Sequence, residues 1–212
     1  MDAFTVLDAR AAPLMRQNVN TDIIIPIHRL RDVPQAELGA YAFEPWRYLP
    51  DGSENPEFFL HQPAYRGAQI VVAGDNFACG SSREGAVWAM MGMGVRCVIA
   101  PSFGPIFFNN CFQNGGLPIQ LPRAEVEAIA SELEAATRPG SNHEPRLSVD
   151  LQKREVVTPS GRRITFHVDG IRRDALLQGL NEVALTLTRE AEIAAHQAKA
   201  RASTPWLYPT GG

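Results

Sequence analysis

Residues 80–84 read Gly-Ser-Ser-Arg-Glu, which places two hydroxyls, a guanidinium and a carboxylate in succession behind a glycine. These side chains suit an anion. Hydroxyls donate to carboxylate oxygens, and the planar fork of an arginine matches both oxygens at once. Gly80 allows the backbone to come close to whatever is bound. Ser81 and Glu84 also satisfy the S-x-x-E capping box, which is much commoner than a catalytic serine. Ser82, however, repeats a hydroxyl that capping needs only once, and Arg83 adds charge beside the expected start of a helix. The expectation is therefore a pocket for a carboxylate-bearing substrate at a helix N-terminus, where free N–H groups and the dipole favour negative charge.

The neighbouring sequence says how those residues are held. Residues 68–73 (Ala-Gln-Ile-Val-Val-Ala) form a short apolar run of the buried-strand kind, and Ala86, Val87, Ala89, Met90 and Met93 follow at near-helical spacing. The serines thus fall at a strand-to-helix crossing, where open α/β sheets place ligand sites. The rhythm continues through residues 95–100, 101–114 and 116–121 as strand, helix and strand, which predicts parallel pairing through right-handed crossovers. Gly92 or Gly94 stops the first helix and Asn114-Gly115-Gly116 the second.

On the N-terminal side, residues 19–27 (Val-Asn-Thr-Asp-Ile-Ile-Ile-Pro-Ile) pair a polar turn with a β-branched run and predict a loop feeding a strand. Thr21 and Asp22 in that loop are candidates to brace the site, although Asn-Thr-Asp is also ordinary turn chemistry. Residues 29–66 carry Pro34, Pro45, Pro50, Pro56 and Pro63 with five aromatics (Tyr41, Phe43, Trp46, Phe58 and Phe59), and predict an ordered excursion from the core with short helices only. Beyond residue 121 the pattern gives a charged helix over 123–138, then strands near 147–151, 155–157 and 164–168 with a hairpin turn at Thr158-Pro-Ser-Gly. Two helices close the chain, over 172–179 and 188–202, the second with Thr188 as N-cap. One domain spanning 1–212 is expected.

Composition removes several classes. The 212 residues are 45% hydrophobic and 20% charged with a formal net charge of −3, so neither a polybasic face for nucleic acid nor an acidic tail is present. No basic and apolar leader opens the chain and no apolar run reaches bilayer length, so a cytoplasmic protein without membrane contact is expected. Cys79, Cys97 and Cys111 are an odd count without a C-x-x-C pair, which argues against disulfides and against a complete iron–sulfur ligand set. His28, His61, His143, His167 and His196 have no metal-ligand spacing. Trp88 and the methionines around it read as packing or partner contact.

Taken in order, Asn20-Thr21-Asp22-Ile23-Ile24-Ile25-Pro26, Gly80-Ser81-Ser82-Arg83-Glu84, Ile99-Ala100-Pro101-Ser102-Phe103, Asn109-Asn110, Leu117-Pro118 and Arg172–Leu180 (Arg-Arg-Asp-Ala-Leu-Leu-Gln-Gly-Leu) resemble the swivelling domain of the aconitase superfamily. Over nearly the whole length they resemble the small-subunit family of 3-isopropylmalate dehydratases. The resemblance implies a three-layer β/β/α swivel fold, an α/β class, with the C-terminal hairpin and helices added. It implies a large subunit as partner, holding a [4Fe–4S] cluster, with no cofactor or metal bound by this chain. It further implies that a substituted malate is dehydrated and rehydrated in leucine biosynthesis, interconverting 2- and 3-isopropylmalate, with Ser81 as the proton-abstracting base, Arg83 gripping a carboxylate, and Ser82 and Gly80 completing the contacts. Glu84, Thr21 and Asp22 would support them, and the 29–66 region would read the γ-substituent.

Many relatives carry His and often Pro where this chain has Gly85 and Val87. The swap keeps a methylmalate, citraconate or dimethylmalate dehydratase subunit in view. A non-catalytic anion-binding module, with Ser81 merely a cap, is the reading of another class.

Overall fold

The computed structural model describes residues 1–80 and 83–207. Seven strands make one mixed sheet: β1 (Val6–Leu14), β2 (Ile70–Ala73), β3 (Cys97–Ala100), β4 (Leu117–Gln120), β5 (Arg146–Asp150), β6 (Glu155–Val157) and β7 (Arg163–Thr165), in the order β4-β3-β2-β1-β5-β6-β7. The helices are α1 (Thr21–Ile24), α2 (Ile27–Asp32), α3 (Glu44–Arg47), α4 (Gly85–Gly92), α5 (Pro105–Asn114), α6 (Arg123–Ala136), α7 (Gly170–Gln178), α8 (Glu182–Leu187) and α9 (Glu190–Ser203).

β1 joins two kinds of sheet. It pairs parallel with β2 (Ala11 opposite Ile70) and antiparallel with β5 (Ala9 opposite Leu147). The parallel half is buried on both faces, so β2 and β3 are apolar at every position. Alternate side chains serve two cores. Ala12, Leu14, Val71, Ala73, Val98 and Ala100 face a core shared with α4, α5 and the excursion. Ala11, Ile70, Val72, Ile99, Leu117 and Ile119 face a second one, built on α6 through Val126, Ile129 and Leu133. The antiparallel strands close that same second core with Leu147, Val149, Val156 and Ile164, while β5 and β7 turn their other side chains outward. Pro118 is tolerated because β4 is an edge strand.

The expected α/β class, the β-α-β-α-β run and the C-terminal hairpin are all present. Three local expectations are not. Thr21–Ile24 form a turn of helix rather than a strand, because Asn20 caps α1 by accepting from the Ile23 N–H at 3.0 Å. Thr188 does not cap the last helix: its hydroxyl donates back to the Leu185 carbonyl at 2.6 Å, ending α8, and α9 starts two residues later. The helix after the serine run begins only at Gly85, with Glu84 at its cap position and no side-chain cap bond there.

Candidate functional site

Leaving β2, the chain runs through Gly74-Asp75-Asn76-Phe77-Ala78-Cys79-Gly80 in a conformation that costs energy. Asn76 has φ 53° and Ala78 φ 55°, a region that residues with a Cβ avoid, and Gly80 has φ +103°. Long-range bonds hold it. The Asn76 N–H donates to Ser102 Oγ at 2.8 Å, its side-chain amide to Asn18 Oδ1 at 2.8 Å, and the Asn18 N–H to the Asp75 carbonyl at 2.9 Å. The Phe77 N–H donates to the Ser102 carbonyl at 3.0 Å, and the fully buried Phe77 ring packs edge-on against Phe107. Strain met by this many partners fixes where Gly80 sits.

The second wall is the loop before α1. Asn20 forms an isolated parallel bridge with Cys79, and the Thr21 N–H donates to the Cys79 carbonyl at 2.9 Å. Thr21 is only 4% exposed. A Cβ built on Gly80 would stand 3.6 Å from Asn20 Cβ and 3.9 Å from Thr21 Oγ1. Those are ordinary contacts, so it is the positive φ that calls for glycine here. Asp22 Oδ1 lies 3.7 Å from Arg83 Nη2, with the side chains 66% and 46% exposed. A pair that open to solvent contributes little stability. Gly80, Thr21, Asp22 and Arg83 are thus brought together from the first turn of α1 and the loop after β2, more than fifty residues apart in sequence. Ser81 and Ser82 lie outside the described residues.

Glu84 is not part of that convergence. Its carboxylate accepts from the Asn114 side-chain amide at 3.2 Å, and Asn114 in turn accepts from the Trp88 indole at 3.1 Å and donates to the Asn110 carbonyl at 2.9 Å. Glu84 therefore ties the start of α4 to the end of α5. On the next residue, a Cβ added to Gly85 would meet Leu30 side-chain atoms at 2.3 and 2.6 Å. Leu30, from α2 in the excursion, occupies the volume that a larger residue 85 would fill. The excursion is thereby packed directly against the base of the site loop.

Residues 1–124 match the aconitase C-terminal domain family, and residues 182–210 match the C-terminal domain of the 3-isopropylmalate dehydratase small subunit. The chain is 50% identical over 207 residues to the 3-isopropylmalate dehydratase small subunit of Paramagnetospirillum magneticum, spanning 98% of this chain and all of that one. With the protein of the same name from Rhodopseudomonas palustris strain BisA53 it shares 47% over 206 residues, 97% of this chain and all of the other. The chain belongs to the 3-isopropylmalate dehydratase small-subunit family. A crystal structure of 3-isopropylmalate dehydratase from Methanocaldococcus jannaschii superposes with a TM-score of 0.62 at 27% identity, covering 90% of this chain and 99% of that one. The family resemblance carried by the ordered motifs, and the aconitase-type fold it implied, hold.

Burial pushes the Cys97 and Cys111 thiols well up, away from the thiolate that metals take, and Cys79 is half-buried. Among the described residues no three His, Cys, Asp or Glu side chains converge on one point, and none of their helices is long and apolar enough to cross a membrane. Sequence reasoning missed the bracing residues Asn18, Asn76 and Asn114. Asn18 and Asn76 could have been suspected, since asparagine tolerates the left-handed region that both adopt.

Proposed function

We propose that this chain is the small subunit of a heteromeric hydro-lyase that interconverts 2-isopropylmalate and 3-isopropylmalate by dehydration and rehydration in leucine biosynthesis, and that it is active only with its large subunit. The observation that carries the reading is near-full-length identity of 47–50% to small subunits so named, joined to a strained, heavily braced loop that ends on Gly80 and Arg83.

Such a dehydration removes a proton beside one carboxylate and expels hydroxide from the neighbouring carbon, so it needs a base on one face and a Lewis acid on the other. Ser81 is the base in this proposal. A serine hydroxyl gives up its proton only where the anion is strongly favoured, and preorganised donors are worth about 2.7–4 kcal/mol each in comparable sites. Arg83, two residues on in the chain, supplies cationic charge, binds a substrate carboxylate and sets the substrate against the serine. Ser82 donates a further hydrogen bond, and Gly80 lets backbone N–H groups approach. Thr21 and Asn20 keep the loop in register, while Glu84 anchors α4 to α5. A [4Fe–4S] cluster held by the large subunit would supply that Lewis acid. Leu30, held over Gly85, makes the excursion the element that reads the substrate's branched end.

The test is turnover of 3-isopropylmalate by the two chains reconstituted anaerobically. Activity should require both, and Ser81→Ala should abolish it in a complex that still assembles. Loss of a helix cap alone would cost about 1 kcal/mol of stability and leave turnover nearly intact. Turnover that survives the substitution would refute the role of Ser81 as base.

A further inference from the structure

A cavity of about 350 Å³ lies between the excursion and the C-terminal end of α4. Arg47, Glu54, His61 and Arg66 line it, together with apolar surface from Phe58 and Met93. Its charged groups are poorly matched to each other. The His61 side chain is only 8% exposed, and its Nδ1 is hydrogen-bonded to the Asn55 carbonyl at 2.7 Å, yet the buried Nε2 has no partner. Glu54 Oε1 is 3.8 Å away, beyond a hydrogen bond. Arg66 Nη2 stands at the same 3.8 Å from Glu54 Oε2. Arg47 spends Nη1 on the Gly39 and Ala40 carbonyls and leaves a buried Nε–H unpaired. Two guanidiniums and an imidazole thus share one half-engaged carboxylate, and buried polar groups without partners are rare enough to require an explanation.

We propose that this cavity binds a small carboxylate carrying a short apolar substituent. The carboxylate takes donors from Arg66 and Arg47 Nε, replaces Glu54 as counter-ion, and accepts from His61 Nε2–H. For that last bond the imidazole takes up a proton from solvent, since Nδ1–H already serves Asn55; the charges facing it are Glu54, Arg66 and Arg47. The substituent lies on Phe58 and Met93. A bare inorganic anion would leave that apolar wall wet, which is why the ligand needs a tail. The bound molecule would fasten the excursion to the far end of the helix whose near end carries Arg83.

The test is an NMR titration of the isotopically labelled full chain with isovalerate, with acetate and inorganic phosphate as comparisons at constant ionic strength. Isovalerate should give saturable shifts at Gly67, Gly92, Met93 and the His61 ring, with acetate roughly tenfold weaker for want of the buried methyls. Arg66→Gln, at a side chain 64% exposed and so safe for the fold, should weaken binding roughly tenfold or more. Glu54→Gln should tighten it, a direction that loss of structure would not give. Absence of saturable shifts on this face, shifts confined to the surroundings of Arg83, or an affinity that both variants leave unchanged would overturn the site. Phosphate binding as tightly as isovalerate would overturn its apolar half.

Discussion

Two long stretches of the chain lack strands, residues 29–66 and residues 182–207, and they are packed in opposite ways. The first is rich in proline and irregular, yet it buries Leu38, Phe43, Phe58, Phe59, Leu60 and Tyr65 in the main core. Phe43 is the hub, with ring centroids 6.2, 5.9 and 5.8 Å from Trp46, Phe58 and Phe59. The second is regular helix, yet none of its residues is buried, and Val183, Leu187, Trp206 and Leu207 are 61–74% exposed. Regular hydrogen bonding and burial are thus separate properties. The excursion is held chiefly by apolar contacts and belongs to the body, whereas α9 forms its backbone bonds while burying none of its own residues, a marginal situation for fourteen residues in water.

The largest effect should come from the hub of the excursion. Phe43→Ala is expected to lower the unfolding free energy by about 3–5 kcal/mol in urea titrations, the usual range for a fully buried ring. A loss below about 1 kcal/mol would mean that the excursion opens in solution, and the contrast with the tail would fail.

A smaller effect tests whether the excursion also touches the site. Gly85→Ala forces Leu30 aside, which should cost about 1–3 kcal/mol as overpacking. Adding Leu30→Ala should recover part of that loss, giving a favourable coupling in a double-mutant cycle. Strictly additive losses would place Leu30 elsewhere.

The same contrast explains what the sequence could reveal. The crossovers between residues 68 and 121, the hairpin at Thr158–Gly161 and the stop of α7 at Gly179, left-handed at φ 68°, all rest on signals within a few residues of each other. β1 escaped notice because Asp8, Arg10 and Pro13 interrupt its apolar pattern, and as the strand shared by both halves it keeps no clean alternation. The β-branched run after Asn20 misled, since one cap and one bridge to Cys79 outweigh β-propensity. In the site, residue types pointed to an anion pocket, and Arg83, Gly80, Thr21 and Asp22 do meet. The bracing by Asn76, Ser102 and Asn18 joins positions 26 and 58 residues apart, for which no local pattern exists.

Next in size is an ion pair inside the excursion. Arg29 donates to both Glu44 oxygens, at 2.8 and 2.5 Å, and lies over the Tyr41 ring. The hydrogen bonds from Arg29 hold the Glu44 carboxyl below its ordinary range, against a smaller opposing effect of burial. A depressed carboxylate pKa contributes stability above the unfolded-state value and loses it as pH falls through the folded-state one. Glu44→Gln should therefore cost about 1 kcal/mol at neutral pH, the pair being part-exposed and screened, and nothing once the wild-type carboxylate is protonated. A deficit that persisted undiminished into acid would show that packing, not charge, is what the substitution removes.

The smallest effect is expected in the tail, and it is the most informative about the comparison. Val183→Ser combined with Leu187→Ser changes two side chains, 68% and 61% exposed, on a helix without buried residues. In the isolated chain the unfolding free energy should move by no more than about 0.5 kcal/mol, as for ordinary surface positions. The Gln113–Glu182 hydrogen bond, at 2.9 Å, ties the start of α8 to α5 and is untouched by the change. A loss above about 1 kcal/mol would mean that these apolar side chains fold back onto the body in solution. The tail would then be held as the excursion is, and the exposed arrangement of α8 and α9 would not describe the free chain.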